Sequence, residues 1–415
     1  MLPRNEPPAY ARVLVALTQR SDLRAQMADA DAVLADQGTR SAFLRLAREL
    51  GVEGLVLSAL KTTGLVDSLP ADVVKEIDAR LELLRRQALL LDLERDRVLH
   101  ALGRHGIAPL LLKGSALRER VYDDALERSM GDLDLLVAPE EIDQSMAALR
   151  AIGYVSDSDE LLDAYRRHHF HHVLTHPRGF IVEMHWGLTD PRSSVPLDAT
   201  KFFSRASVSG RRSGGNRVPV RVPSTEDLLL HTVSQNEDDA FGLLRRIVDI
   251  DRIVAVSPQL DWSYVAQAAR ESGLELVLAV SLRLSELLLG SAVPARLSRG
   301  TGLPMLSRIH LAMLDPVAWV MSLPSQRRAV GLVALRLWCA RTWNTRRRRV
   351  AEALRSAQSW AAILGVDDAP PRRWSLSESG AARATKIGLY HLAVYWRSGV
   401  ALASSSGRRR LRFWN

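Results

Sequence analysis

The sequence predicts an α/β (α+β) protein: a small mixed sheet flanked by N-terminal and C-terminal helical regions. Three observations lead there. Residues 9 to about 105 repeat apolar side chains at helical spacing, as in "ADVVKEIDARLELLRRQALLLDLERDRVLHALGRHG". Residues 108 to 186 instead alternate short apolar runs with helical ones, the pattern of a small α/β unit. From "STEDLLLHTV" onward helical spacing returns, with prolines and glycines near 293 to 304 marking a boundary.

The chain therefore divides into a helical region (1–95), a core (96–222), a helical domain packed on that core (223–292) and a basic, Trp/Arg-rich helical region (293–415). At 415 residues it is long enough for several apolar cores, and 47% hydrophobic with 25% charged residues is ordinary globular composition. The single cysteine, Cys339, excludes an internal disulfide framework or a cysteine-rich zinc site and suits a reducing compartment. No run of about 18 uncharged apolar residues predicts a membrane span. The N-terminal "MLPRNEPPAYARVL" lacks the apolar stretch of a secretory signal. A cytoplasmic location is expected, with peripheral membrane residence as the alternative.

Within the core, "APLLLKG" reads as a buried strand ending at glycine, and "SALRERVYD" as a helix. "MGDLDLLVAP" is a strand stopped by Pro139, and "PEEIDQSMAALRAIGY" a helix with acids in its first turn. "FHHVLTH" and "FIVEMHW", separated by "PRG", read as an antiparallel hairpin. Residues 205–223 read as a Gly/Ser/Arg-rich loop and an edge strand. "STEDLLLHTV" opens a helix with a Ser-x-x-Asp capping signature.

Acids inside an apolar strand demand a reason. Side chains alternate across a strand, so Asp132, Asp134 and Leu136 share one face and Leu133, Leu135 and Val137 the other. In the hairpin's second strand Ile181, Glu183 and His185 share a face, opposite Phe180, Val182, Met184 and Trp186. Neighbouring strands would present Asp132, Asp134 and Glu183 together. Clustered carboxylates repel unless protonated or neutralised by cations, and an oxygen donor set suits Mg²⁺ or Mn²⁺. The Gly114-Ser115 pair after the first strand offers backbone N–H groups and a hydroxyl to phosphate oxygens.

This constellation resembles the nucleotidyltransferase superfamily that includes DNA polymerase β. More closely, "LLLKGSAL", "GDLDLLV" and "VEMHW" look like a large family of bacterial uncharacterised nucleotidyltransferases, over roughly residues 95–265. The resemblance implies a minimal nucleotidyltransferase core in which Gly114 and Ser115 hold a triphosphate. Asp132, Asp134 and Glu183 would bind metal and carry catalysis. It implies transfer of a nucleoside monophosphate from an NTP, ATP foremost, to an unidentified acceptor with release of pyrophosphate. The chain departs from compact relatives in a longer gap before the first aspartate, in Gly131, and in a glutamate as third acid.

Other residues carry two readings each. Lys113 reaches a phosphate as a point charge, or is a solvated strand-end lysine. Arg128 clamps phosphate, or holds the acid strand by pairing with an acid. His185 binds phosphate, helps move the acceptor's proton, or satisfies a carboxylate. Tyr122 reads as core or, second, as a stack for the nucleotide base, and Arg245 and Asp249, one helical turn apart, pair locally or stand near the nucleotide. The "HHFHHVLTH" histidines invite zinc, but nothing supplies the remaining converging ligands.

Basicity belongs to the C-terminal end. Residues 341–415 hold 15 Lys+Arg against 4 Asp+Glu, a net of +11, whereas the whole chain is +9. Arg346–Arg349 and "GRRRLRFWN", with Trp338, Trp343, Trp374 and Trp414, suit either a nucleic acid or an anionic membrane surface. Two rivals to the metal-dependent transferase follow. One is a catalytically inactive nucleotidyltransferase fold serving as a regulatory or binding protein. The other is an RNA-modifying transferase guided by the basic region. Neither the acceptor nor the oligomeric state is written in a motif.

Overall fold

The computed structural model describes residues 8–20, 27–67, 69–156, 162, 166, 169–189, 196–209, 220–238, 241 and 243–312. Residues 313–415, with the basic region and its nucleic-acid and membrane readings, lie outside the described residues.

Four helices come first: α1 (Ala9–Thr18), α2 (Met27–Ala35), α3 (Gln37–Glu49) and α4 (Glu53–Thr62). The 33-residue α5 (Ala71–Gly103) follows and runs uninterrupted through residue 95. It ends just before a reversal at Gly106, whose φ of 75° is costly for other residues. Apolar residues at helical spacing, such as Val73, Ile77, Leu81 and Leu84, are buried along its core face.

The sheet follows. β1 (Leu110–Leu111) leads directly into α6 (Lys113–Arg120), β2 is Leu133–Leu136, and α7 (Ile142–Ala151) follows Pro139. β3 (His171–Thr175) and β4 (Ile181–His185) form the expected antiparallel hairpin. After α8 (Ala199–Arg205) come β5 (Ser207–Ser209) and β6 (Val220–Val222). The six strands lie in the order β3-β4-β2-β1-β6-β5, with β2–β4 and β1–β6 parallel and the other pairs antiparallel. The edge strand expected over 205–223 is thus two strands. β5 takes the edge, while β6 pairs on both sides, because β1 offers it a buried parallel neighbour.

Helices α9 (Thr225–Asp238), α10 (Leu244–Val256), α11 (Trp262–Glu271), α12 (Glu275–Leu289), α13 (Ala295–Ser298) and α14 (Met305–Ala312) complete the described chain. The capping signature is realised: the Asp227 backbone N–H donates to Ser224 Oγ at 3.2 Å. No helix among the described residues is long and apolar enough to cross a membrane.

Period-2 alternation sorts the sheet into two faces. Leu133, Leu135, Val137, Val182 and Met184 join the large core, whereas Leu110, Leu112 and Leu136 form a smaller cluster with Leu188 and Phe202. Asp134 and Glu183 share the smaller cluster's face.

The N-terminal helices dock on the segment that leads into the acid strand. A Cβ on Gly54 would lie 2.3 Å from the Leu126 carbonyl oxygen, and the Arg245 N–H donates to Leu50 O at 3.1 Å. Gln19 Nε2 donates to Leu288 O at 2.7 Å, and Arg20 pairs with the buried Asp251 at 2.9 Å.

Gly54→Ala should destabilise the fold by about 3 kcal/mol, the upper end of ordinary overpacking, since backbone must move. Gly103→Ala meets nothing within 4 Å and should leave stability unchanged or raise it by up to about 1 kcal/mol, as helix propensity dictates. Urea midpoints compare the two.

Candidate active site

The parallel pairing of β2 and β4 sets Asp134 directly beside Glu183, and Leu136 beside His185. β1 closes the other side of β2, where the Leu112 N–H donates to Asp134 O at 3.0 Å. The next residue, Lys113, is thereby delivered to the acids. Its ammonium lies 2.5 Å from Asp134 Oδ1 and 2.9 Å from Glu183 Oε2. His185 Nε2 stands 3.0 Å from Asp134 Oδ1 and 3.4 Å from Glu183 Oε2. Asp134 is 2% and His185 1% exposed, so these charges interact with little solvent between them.

The electrostatics follow from that crowding. Burial works to raise the pKa of Glu183, yet a hydrogen bond from His185 and the Lys113 ammonium outweigh it and hold the carboxyl well below its usual range. Burial likewise works against a charged Lys113, and Asp134 with Glu183 overrules it. Asp132, just before β2, is pushed up to about 7 by burial and by the charges of Asp134 and Glu183, while Lys113 and Arg245 pull the other way. Three carboxyls are thus gathered where the local cations do not suffice to ionise all of them.

Among the described residues, the group placed to hold a metal ion is Asp134, Glu183 and His185, whose ligand atoms lie within 4.8 Å of one another. Two carboxylates and an imidazole are a donor set that could hold a divalent metal ion. Asp132 stands outside that group but is coupled to it electrostatically.

Gly114 and Ser115 occupy the first turn of α6 rather than a separate loop, so their N–H groups have no helical carbonyl to bond and are suited to an anion. A Cβ on Gly114 would lie 2.8 Å from the Met130 Sδ, so a larger residue would have to displace that side chain. The Ser115 hydroxyl is buried and faces Met130 Sδ at 3.8 Å.

Arg128 is paired with an acid: its Nε donates to Asp249 Oδ1 at 2.7 Å, and the arginine is 3% exposed. The buried Tyr122 hydroxyl donates to the same oxygen at 2.8 Å. Thus α10 anchors the segment running from α6 to β2 through one carboxylate.

Two histidines complete the surroundings. The His171 ring lies 4.9 Å from His185 and 4.6 Å from His169, centroid to centroid. Burial, then the neighbouring His185, depresses the His171 pKa well below the usual imidazole value and keeps it neutral. His231 on α9 is likewise kept neutral by burial, with Lys113 and His185 adding to the effect. The sequence reading missed His231; its only signal is a histidine inside the apolar run "LLLHTV". His168 lies outside the described residues.

A family model described as an uncharacterised nucleotidyltransferase matches residues 36–290. The chain belongs to that nucleotidyltransferase family. The match extends past residues 95–265 on both sides and takes in helices α3 and α4, which dock on Leu126 and Arg245. No curated protein and no solved structure matches the chain.

Two outcomes are expected of this nucleotidyltransferase. A folded-state pKa of about 7 against 3.8 for an ordinary aspartate means the fold loses stability as pH rises through that window. Asp132→Asn should therefore stabilise the metal-free protein by about 2 kcal/mol at ~pH 8, a gain that fades as pH falls toward ~4. Thermal melts across pH read it. Arg128→Ala should cost about 3–5 kcal/mol by stranding the buried Asp249. Chemical denaturation at neutral pH measures that loss.

Proposed function

We propose that the protein transfers a nucleoside monophosphate from an NTP, ATP foremost, to an acceptor hydroxyl, with Asp132, Asp134 and Glu183 holding Mg²⁺ or Mn²⁺ and His185 adjoining them. The observation that carries this reading is the register that sets Asp134 beside Glu183 on parallel strands. That register lies next to a helix start bearing Lys113, Gly114 and Ser115.

Each residue then has work matched to its surroundings. Asp134 and Glu183 present oxygens on one face of the sheet, and His185 Nε2 lies between them, within hydrogen-bond distance of Asp134. Asp132, partly protonated near neutrality, would release its remaining proton to solvent as cationic charge enters the site and would join the two acids. The free N–H groups of Gly114 and Ser115 receive phosphate oxygens, and Lys113 supplies a point charge to the same anion. When bound, the divalent cation supplies Lewis-acid activation of the hydroxyl and neutralises charge on the phosphates. The acceptor oxygen forms a bond to the α-phosphorus, the bond to pyrophosphate breaks, and the hydroxyl proton passes to a carboxylate or solvent.

The rival reading, a nucleotidyltransferase fold kept as a binding module, draws on Lys113 standing where a cation would sit. Calorimetric titration of each NTP with Mg²⁺, Mn²⁺ or EDTA separates the two. Metal-dependent binding of an NTP is expected for the wild type. In Asp132→Asn/Asp134→Asn it should weaken by about 100-fold or more, beyond the loss typical of residues merely behind a ligand. Nucleotide binding indifferent to metal and to both substitutions, or none at all, would favour the binding module.

A further inference from the structure

The Lys113 ammonium contacts one oxygen of each acid that the reading above assigns to the metal. Its placement is built into the backbone. Lys113 has a φ of 45°, a left-handed conformation that lysine adopts only when its surroundings impose it. The residue before it is tied to the acid strand through the bond from the Leu112 N–H to Asp134 O. The side chain therefore starts from a fixed, strained point beside the carboxylates. The choice of amine also fits. The chain has 5 lysines against 51 arginines, yet this position holds the compact point charge that sits between two oxygens, where a planar guanidinium would spread across them.

We infer that Lys113 is a counter-cation held between Asp134 and Glu183, at the position a metal would take, so that the site resists a free divalent cation and accepts the metal–triphosphate complex. This rests on the metal reading of Asp134 and Glu183. A cation entering alone would either lie against the ammonium, as like charge, or drive it into solvent. A metal–triphosphate complex brings the ammonium new partners, since phosphate oxygens at the first turn of α6 lie beside the residue that carries it. Metal and nucleotide thus bind with positive coupling, and Lys113 is the positioning residue through which the coupling runs.

Binding of Mn²⁺ alone, and of Mn²⁺ with α,β-methylene-ATP, is measured calorimetrically on the full chain for wild type, Lys113→Met and Asp134→Asn. Mn²⁺ alone should bind Lys113→Met about tenfold or more tighter than wild type, in the ordinary range of such couplings. The analogue should tighten Mn²⁺ binding in wild type and do so far less in Lys113→Met. A lysine with a merely structural role would give the opposite sign, because its loss would loosen the site.

A second measurement needs no substitution. Brief acetic anhydride labelling, read by mass spectrometry, should modify Lys113 several-fold faster once Mn²⁺ alone saturates the site, while Lys61, Lys75 and Lys201 keep their rates. Mn²⁺ binding that Asp134→Asn abolishes but Lys113→Met leaves unchanged or weakens overturns the inference alone, as does a labelling rate that Mn²⁺ does not alter. No Mn²⁺ binding in wild type or in Lys113→Met, with or without the analogue, overturns both the inference and the metal reading.

Discussion

Two carboxylates in register on neighbouring parallel strands set the constraint that the rest of the structure answers. Asp134 and Glu183 cannot move apart without breaking the β2–β4 ladder, and both project from a largely buried face. Repulsion at that separation demands cationic charge and hydrogen-bond donors close by. Lys113 and His185 provide them from the strand ends on either side. Asp132 is the residue for which too little compensation remains, and its raised pKa records the deficit. The charge of the three acids is thus balanced only in part.

Behind the acids lies a second set of contacts that carries no chemistry but fixes where β2 begins. Tyr122 and Arg128 both bond Asp249 from the segment connecting α6 to β2. Leu126, in the same segment, is pressed by Gly54 of α4. The approach to the acid strand is thus clamped between the N-terminal helices and α10. The family match, which begins at residue 36, takes in α3 and α4 of these helices.

Local periodicity carried much of this in advance. Alternation in "GDLDLLV" and "FIVEMHW" placed Asp134 and Glu183 on one face, and the hairpin and the Ser224 cap were legible from turn and capping chemistry. What was not legible depends on pairing between distant segments. Nothing in "RVPVRVP" reveals that its strand is interior, because that follows from β1 needing a second neighbour. The convergence of Tyr122 and Arg128 on Asp249 joins residues more than a hundred positions apart. His231 reads as one polar residue in an apolar helix until its face is known to meet the site. The direction of Lys113 follows from a backbone conformation that sequence rules assign to glycine.

The contact from Gln19 to Leu288 closes a loop of 269 residues, and that span has a consequence during synthesis. At 5–20 residues per second a ribosome needs roughly 15–50 s to make it. Through that interval the first helices can pack on one another, but the faces that meet α10 and α12 have no partner until those helices are made. The two halves of that interface are therefore completed further apart in time than in a protein assembled from local contacts, which slows the last step of folding.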